Sequence, residues 1–232
     1  SSRGCPQRCA FCANSAMGRT ALRLRSPNLV VNELEGLHTK FCYNAFKFSD
    51  DTLTINKAHI TDICSEILNR NLEVKWSARV RANTVDEKLL GLMKKAGCVS
   101  LHYGVESGSQ KILQMMQKGI KIEEVKKAVR LSASIVFDHI GATFMVSYPK
   151  ETIEDLDCSF KLMQELKSYG SNIQVAYGFT LIYPGTEVER IAYYEGALPA
   201  GFSWNSYYRA PKYFIAQCAE TDIYYESAAH SI

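Results

Sequence analysis

Three of the eight cysteines of this chain fall within one short segment, Cys5-Pro-Gln-Arg-Cys9-Ala-Phe-Cys12. Thiolates at that spacing can converge on one centre. A structural zinc site wants four ligands, commonly two pairs of Cys or His. No second pair follows, because the histidines (His38, His59, His102, His139, His230) are isolated in the sequence. An iron–sulfur cluster normally takes four cysteines. A cluster held by three leaves one iron free to bind a small molecule. A partial zinc site or a chance grouping is the bland alternative. The other cysteines (Cys42, Cys64, Cys98, Cys158, Cys218) are widely spaced. Contexts such as Ile63-Cys64, Gly97-Cys98-Val99 and Asp157-Cys158 suggest buried thiols in a reducing, cytoplasmic compartment rather than disulfides.

Whatever positions that loop must come from the periodicity of the rest. Leu29, Val30, Leu34 and Leu37 recur at helical spacing after the start signal Ser26-Pro27. Strand patterns follow at 45–48, 74–78, 99–105, 139–146 and 173–182, and helices are expected around 60–68, 86–97, 123–132 and 152–169. Five strands, each preceded by a helix, argue for a parallel sheet covered by helices. Right-handed crossovers bring the strand C-termini to one rim, where α/β barrels do their chemistry.

Composition is that of an ordinary folded globule and excludes other classes. Apolar residues make up 47% and charged residues 22% of the 232 residues, and Gly and Pro number 14 and 6, so disorder and fibrous repeats are ruled out. No apolar run is long enough to span a membrane. The net charge of +3 is too mild to argue for nucleic acid.

The residues just after the strands are Ser49-Asp50-Asp51-Thr52, then Arg79, Arg81 and Asn83, then Gly104 to Ser109, then Ser147-Tyr148-Pro149, and last Tyr183-Pro184-Gly185-Thr186. A zwitterionic ligand suits this set: Asp takes an ammonium, Arg a carboxylate in a bidentate fork, Glu a ribose hydroxyl. Each has a structural alternative. Asp50-Asp51 is also a helix-start pair, the arginines are also solvated edge residues, and Gly104 to Ser109 is also a turn. Pro184-Gly185-Thr186 is expected to be structural, with Thr186 capping the next helix.

The Cys5-x3-Cys9-x2-Cys12 segment, with Phe11 before the last Cys, resembles the cluster-binding motif of the radical S-adenosylmethionine (SAM) superfamily. Phe48-Ser-Asp-Asp51, Trp76 with Arg81, Ala96-Gly-Cys98 with Gly104-Val-Glu-Ser107, Tyr148-Pro149-Lys-Glu-Thr152 and Tyr183-Pro-Gly-Thr186 follow in the order seen there. The pattern is similar to the branch that usually carries an upstream cobalamin-binding domain, and to methylthiotransferase-like members. The resemblance implies an α/β fold, a partial (β/α)6 TIM-like barrel. In the superfamily the first barrel strand precedes the Cys loop. With the chain opening Ser1-Ser2-Arg3-Gly4-Cys5, that strand is expected to be missing here. Residues 1–190 would then form the core domain and 191–232 a C-terminal extension packing its tyrosines (Tyr193, Tyr194, Tyr207, Tyr208, Tyr213, Tyr224, Tyr225) on the barrel.

The resemblance also implies site roles. A 4Fe–4S cluster would sit on Cys5, Cys9 and Cys12, with SAM chelated to its free iron and split reductively to methionine and a 5′-deoxyadenosyl radical that abstracts a substrate hydrogen. Asp51, with Asp50 in competition, would receive the SAM ammonium, and Arg81, then Arg79, its carboxylate. Glu106 resembles the polar strand residue that contacts SAM, and the backbone of Phe11 and of Met145 to Ser147 would line the adenine. Ser147-Tyr148-Pro149 departs from the commoner Gly-x-Pro form. The expected partners are a small-molecule or peptide substrate and a reductant such as flavodoxin or ferredoxin, with neither membrane nor nucleic acid. Cobalamin-dependent methyl transfer, through a domain outside this chain, and plain hydrogen abstraction or rearrangement both stay open. An RNA methylthiotransferase relative is disfavoured by the lack of a basic appendage. A non-catalytic zinc- or iron–sulfur-binding module is the reading from another class.

Overall fold

The computed structural model describes residues 1–198 and 202–204. A short ribbon, β1 (Ser2–Arg3) paired antiparallel with β2 (Arg23–Leu24), ties off the cysteine segment and one turn of helix, α1 (Ala13–Ala16). Helix α2 (Pro27–Phe41) starts on the proline whose fixed φ suits a first helical position. Then come β3 (Ala45–Phe48), α3 (Lys57–Asn69), β4 (Lys75–Val80), α4 (Glu87–Lys95), β5 (Cys98–Glu106), α5 (Gln110–Met115), α6 (Ile122–Ser134), β6 (His139–Val146), α7 (Ile153–Ser168), β7 (Ile173–Phe179) and α8 (Glu187–Tyr194).

Strands β3 to β7 form one parallel sheet in chain order. This is the parallel α/β sheet expected from the repeated units, and it agrees with the partial barrel that the resemblance implies. The β1–β2 ribbon lies outside that sheet.

Strand alternation sorts the two faces of the sheet. Trp76, Ala78 and Val80 of β4, Leu101, Tyr103 and Val105 of β5, and Ile140, Ala142 and Phe144 of β6 are buried in a core shared with the helices. Trp76 sets its ring edge-on to Phe48 at 5.1 Å and donates from Nε1 to the Ala96 carbonyl at 2.7 Å, so its one polar atom is satisfied. The Tyr103 hydroxyl bonds Ser132 Oγ of α6 at 2.8 Å. Most of the intervening strand residues, such as Ser77, Arg79, Ser100, His102, His139 and Thr143, are polar and lie on the opposite face.

Side-chain caps fix five of the helix starts. Asn56, Asp86, Ser109, Thr152 and Thr186 each accept from the backbone N–H three residues on, and Thr152 with Asp155 closes a full capping box. Thr186 therefore caps α8, as expected. Helix α8 runs across position 190, where the extension was expected to begin.

Some expectations need correction. The last strand ends at Phe179, short of 182, because Thr180 turns in to bond the Val146 carbonyl with both N and Oγ1. Cys64 and Cys98 are buried as expected, the Cys64 thiol pushed up to about 12 by burial, but Cys42 and Cys158 are exposed. Cys42 caps the end of α2 in a left-handed conformation, and Cys158 lies on the solvent side of α7. Tyr193 and Tyr194 are 50% and 80% exposed rather than packed on the barrel; Cys218 and the remaining tail tyrosines lie outside the described residues. No helix among the described residues is long and apolar enough to cross a membrane.

Candidate active site

The cysteine loop is pinned at Ala10, between Cys9 and Cys12, and at Cys5. Ala10 N–H donates to the Met116 carbonyl at 2.9 Å, and the Ala10 carbonyl accepts from Glu187 N–H at the start of α8 at 3.1 Å. Cys5 N–H bonds the Arg19 carbonyl at 3.0 Å. Cys12 occupies the N-cap position of α1. Cys9 is buried and Cys5 and Cys12 are half-buried. Among the described residues no three Cys, His, Asp or Glu side chains are already gathered at metal-binding geometry, so the loop brings the thiols into one neighbourhood without closing a cage.

What surrounds Cys9 is cationic. Burial pushes its thiol up, while the charges of Lys118 and Arg81 pull back towards the thiolate. Arg81 is buried; its Nε donates to Asn83 Oδ1 at 3.0 Å, and its Nη2 has no hydrogen-bond partner although the guanidinium lies beside Cys9. Lys118 lies 5.7 Å from the centre of the Phe11 ring and pairs with Glu106 Oε1 at 2.6 Å, the two side chains being 10% and 12% exposed. Gly104 makes that pair fit: a Cβ there would lie 2.4 Å from Glu106 Oε1 and 3.0 Å from Lys118 Nζ.

Backbone irregularities aim these groups. The register of β5 on β6 shifts between Gly104 and Glu106, and Glu106 adopts φ 71°. Ser147, at the end of β6, adopts φ 61° and is buried. Two non-glycine residues in the left-handed region at neighbouring strand ends turn the chain sharply as it leaves the sheet.

The other expected residues divide by position. Asp50 is buried and held by the hydroxyls of Ser1 and Ser2 at 2.8 and 2.5 Å. Asp51, its neighbour, is exposed on the rim. Arg79 is exposed on the concave face, two residues deeper in β4 than Arg81. Met145 is half-buried on that face of β6. The turn after β5 is partly structural. Gly108 N–H bonds Ser159 Oγ at 2.8 Å, and Ser109 Oγ bonds Asp155 Oδ1 at 2.6 Å. Burial alone would raise the Asp155 carboxyl, but bonds from Lys111, Ser109 and Thr152 outweigh it and hold it at about 2.

Sequence reasoning missed Lys118, and it named Tyr148 and Glu151 only within strand-end motifs, without a role. Lys118 follows the apolar Ile112-Leu113 and Met115-Met116 of α5 and its end, and a lysine closing so apolar a turn was the available signal. Tyr148 is buried close enough to Cys9 for the two to interact, and its hydroxyl donates to the Met115 carbonyl at 3.3 Å. Glu151 is 2% exposed with Oε1 unpartnered, and burial pushes its carboxyl up to about 7. A carboxyl raised on folding stabilises most below its unfolded pKa of 4.5, and the contribution is lost as pH rises through about 7. Glu151→Gln should therefore match the parent in urea denaturation below about pH 4.5. It should exceed the parent above about pH 8 by about 1–2 kcal/mol, the full linkage value being reduced for solvent screening. Equal ΔΔG at both ends would show that Glu151 is not buried as a neutral acid.

The donor set fits an iron–sulfur cluster: three soft thiolate donors on one loop, with an unpartnered guanidinium nitrogen beside the innermost.

The sequence profile of the Radical SAM superfamily matches residues 1–163. An uncharacterized methyltransferase of Pyrococcus horikoshii is 32% identical over 206 residues, covering 89% of this chain and 44% of that protein. The anaerobic magnesium-protoporphyrin IX monomethyl ester cyclase of Rubrivivax gelatinosus is 34% identical over 167 residues, covering 70% of this chain and 29% of the cyclase. The chain thus spans less than half the length of either relative. Among solved structures, the radical SAM methyltransferase TsrM of Kitasatospora setae, with tryptophan and a SAM analogue bound, superposes with a TM-score of 0.74 at 19% identity, over 83% of this chain and 38% of that one. The cobalamin-dependent SAM radical enzyme OxsB gives 0.70 at 17% identity, over 84% and 35%. These two likenesses show a shared fold.

Proposed function

The chain belongs to the radical SAM superfamily, and on that premise we propose that it is the catalytic core of an enzyme that holds a 4Fe–4S cluster on Cys5, Cys9 and Cys12 and binds SAM beside it. When bound, the reduced cluster would supply the one electron that splits SAM into methionine and a 5′-deoxyadenosyl radical for hydrogen abstraction. The observation that carries this reading is the backbone-anchored cysteine loop with Arg81 and Lys118 set around its buried member.

The protein's own groups bind and orient. Arg81, with one nitrogen unpartnered, takes the SAM carboxylate in a charge-assisted bond. Asp51 takes the ammonium, because Asp50 is already occupied by Ser1 and Ser2. Glu106 is steadied by Lys118 towards the ribose. The backbone of Phe11 and of Met145 to Ser147 lines the adenine, and Tyr148 excludes water beneath it. The subclass we assign is methyl transfer to a small molecule with cobalamin carried by a domain outside this chain, a reading supported by the methyltransferase relative and the shared fold with TsrM and OxsB. The electron donor is a flavodoxin or ferredoxin, and the setting the cytoplasm.

The test is anaerobic reconstitution of the full-length protein with iron and sulfide, followed by reduction with dithionite in the presence of SAM. Four irons per chain and formation of methionine are expected. Zinc at one per chain, with no SAM binding, would overturn the assignment in favour of a metal-binding module. Added cobalamin should become methylated; a protein that cleaves SAM but ignores cobalamin loses the methyl-transfer subclass alone.

A further inference from the structure

Beneath the rim, the concave face of the sheet carries polar and cationic side chains in two rows. Strand register places Lys47, Ser77, Ser100 and His139 in one row and Arg79, His102, Gly141 and Gln174 in the next. His139 is fixed at both ring nitrogens: Nδ1 lies 3.0 Å from Ser100 Oγ and Nε2 3.0 Å from Gln174 Oε1. The amide oxygen only accepts, so the bond assigns the proton to Nε2, and Ser100 donates to Nδ1. Gly141 leaves room for two imidazoles side by side. A Cβ at that position would lie 2.5 Å from His102 Nδ1 and 3.4 Å from His139 Cε1.

His102, unlike His139, makes no side-chain hydrogen bond to any described residue, and neither Lys47 nor Arg79 has an ion-pair partner among them. The charges acting on the His102 ring come from Arg79 and Lys47 and from His139 on one side and Glu106 on the other, and Glu106 is committed to Lys118. The face is thus a cationic floor with free donors, which the core does not explain. Burial, then Arg79, holds the His102 pKa below its usual value, so the ring is neutral and offers a donor without adding charge.

We propose that this floor is a substrate subsite for an oxyanion, a carboxylate or a phosphoryl group, with Arg79 and Lys47 supplying the charge and His102 a hydrogen bond. Arg offers the planar fork such a group accepts. From His102 to Glu106 is four residues of strand, roughly 13 Å at the usual strand rise. A substrate anchored on the floor therefore presents its reacting end near the rim only if it is extended by about that length. This assignment rests on the rim being the reaction centre, and it takes Arg79 out of the cofactor site.

The test is calorimetric titration of the reconstituted full-length protein with inorganic phosphate and, separately, with succinate, with iron content and SAM binding measured alongside. At least one anion is expected to bind at millimolar concentration, and which one does so separates phosphoryl from carboxylate substrates. Arg79→Gln should weaken that binding about tenfold or more with SAM binding unchanged, and Gly141→Ala should weaken it by displacing His102. The proposal is overturned if the parent binds neither anion, if both variants bind as the parent does, or if Arg79→Gln loses SAM binding in step with the anion. A protein that fails to hold iron or SAM, yet binds the anion through Arg79, refutes the cofactor reading and leaves the floor site standing.

Discussion

Replacing Cys9 by Ala will leave a folded protein that cannot hold its cluster. The fold should survive because the loop is held by backbone bonds, from Ala10 to Met116 and Glu187 and from Cys5 to Arg19, none of which uses the Cys9 side chain. The loss should be large because two protein thiolates remain where three are needed. Altering an outer-sphere partner of a metal ligand already costs about 10–100-fold, and a ligand should cost more. Iron per chain and the rate of SAM cleavage are expected to fall together by at least about 100-fold, with an unchanged circular dichroism spectrum. Cys64→Ala is the matching control, a buried thiol on α3 that belongs to the core. A Cys9→Ala protein that kept a full complement of iron would sink the site assignment.

Lys118→Met should cost stability first and cofactor binding second. The Lys118–Glu106 pair is nearly dry, with 10% and 12% side-chain exposure and a 2.6 Å contact. Removing one partner from such a pair strands a buried charge, at a cost of about 3–5 kcal/mol. For a domain of this size that is about 6–20 °C in Tm. The double variant Lys118→Met with Glu106→Gln should regain most of the loss, since it strands no charge. Urea denaturation of parent, both singles and the double would separate these outcomes. A single variant costing less than about 1 kcal/mol, with no recovery in the double, would mean that water reaches the pair and that Lys118 does not organise the rim.

Much of the fold was legible because it is written in local terms. Alternation along 139–146 marked β6 to its ends, and Asp86, Thr152 and Thr186 announced helices by their capping chemistry. The short α5 escaped, since six residues carry too little periodicity to stand out between Ser109 and Lys118. The candidate site was legible in part. The Cys5, Cys9, Cys12 spacing stood out by itself, whereas Lys118 is twelve residues from Glu106 and is brought to it only by the turn of α5.

The sequence by itself determined the donor set, the order of strands and helices, and the residues at the strand ends. These depend on spacing, period and caps, all of which act over a few residues. Only the tertiary structure separated the members of each pair. Asp50 is buried on Ser1 and Ser2 while Asp51 is exposed, and Arg81 turns in beside Cys9 while Arg79 stays on the concave floor. Such neighbours differ by one strand alternation or by the end of a strand. The shift in register before Glu106 and the packing of Lys118 across the sheet depend on contacts between segments far apart in the chain, which no local pattern encodes.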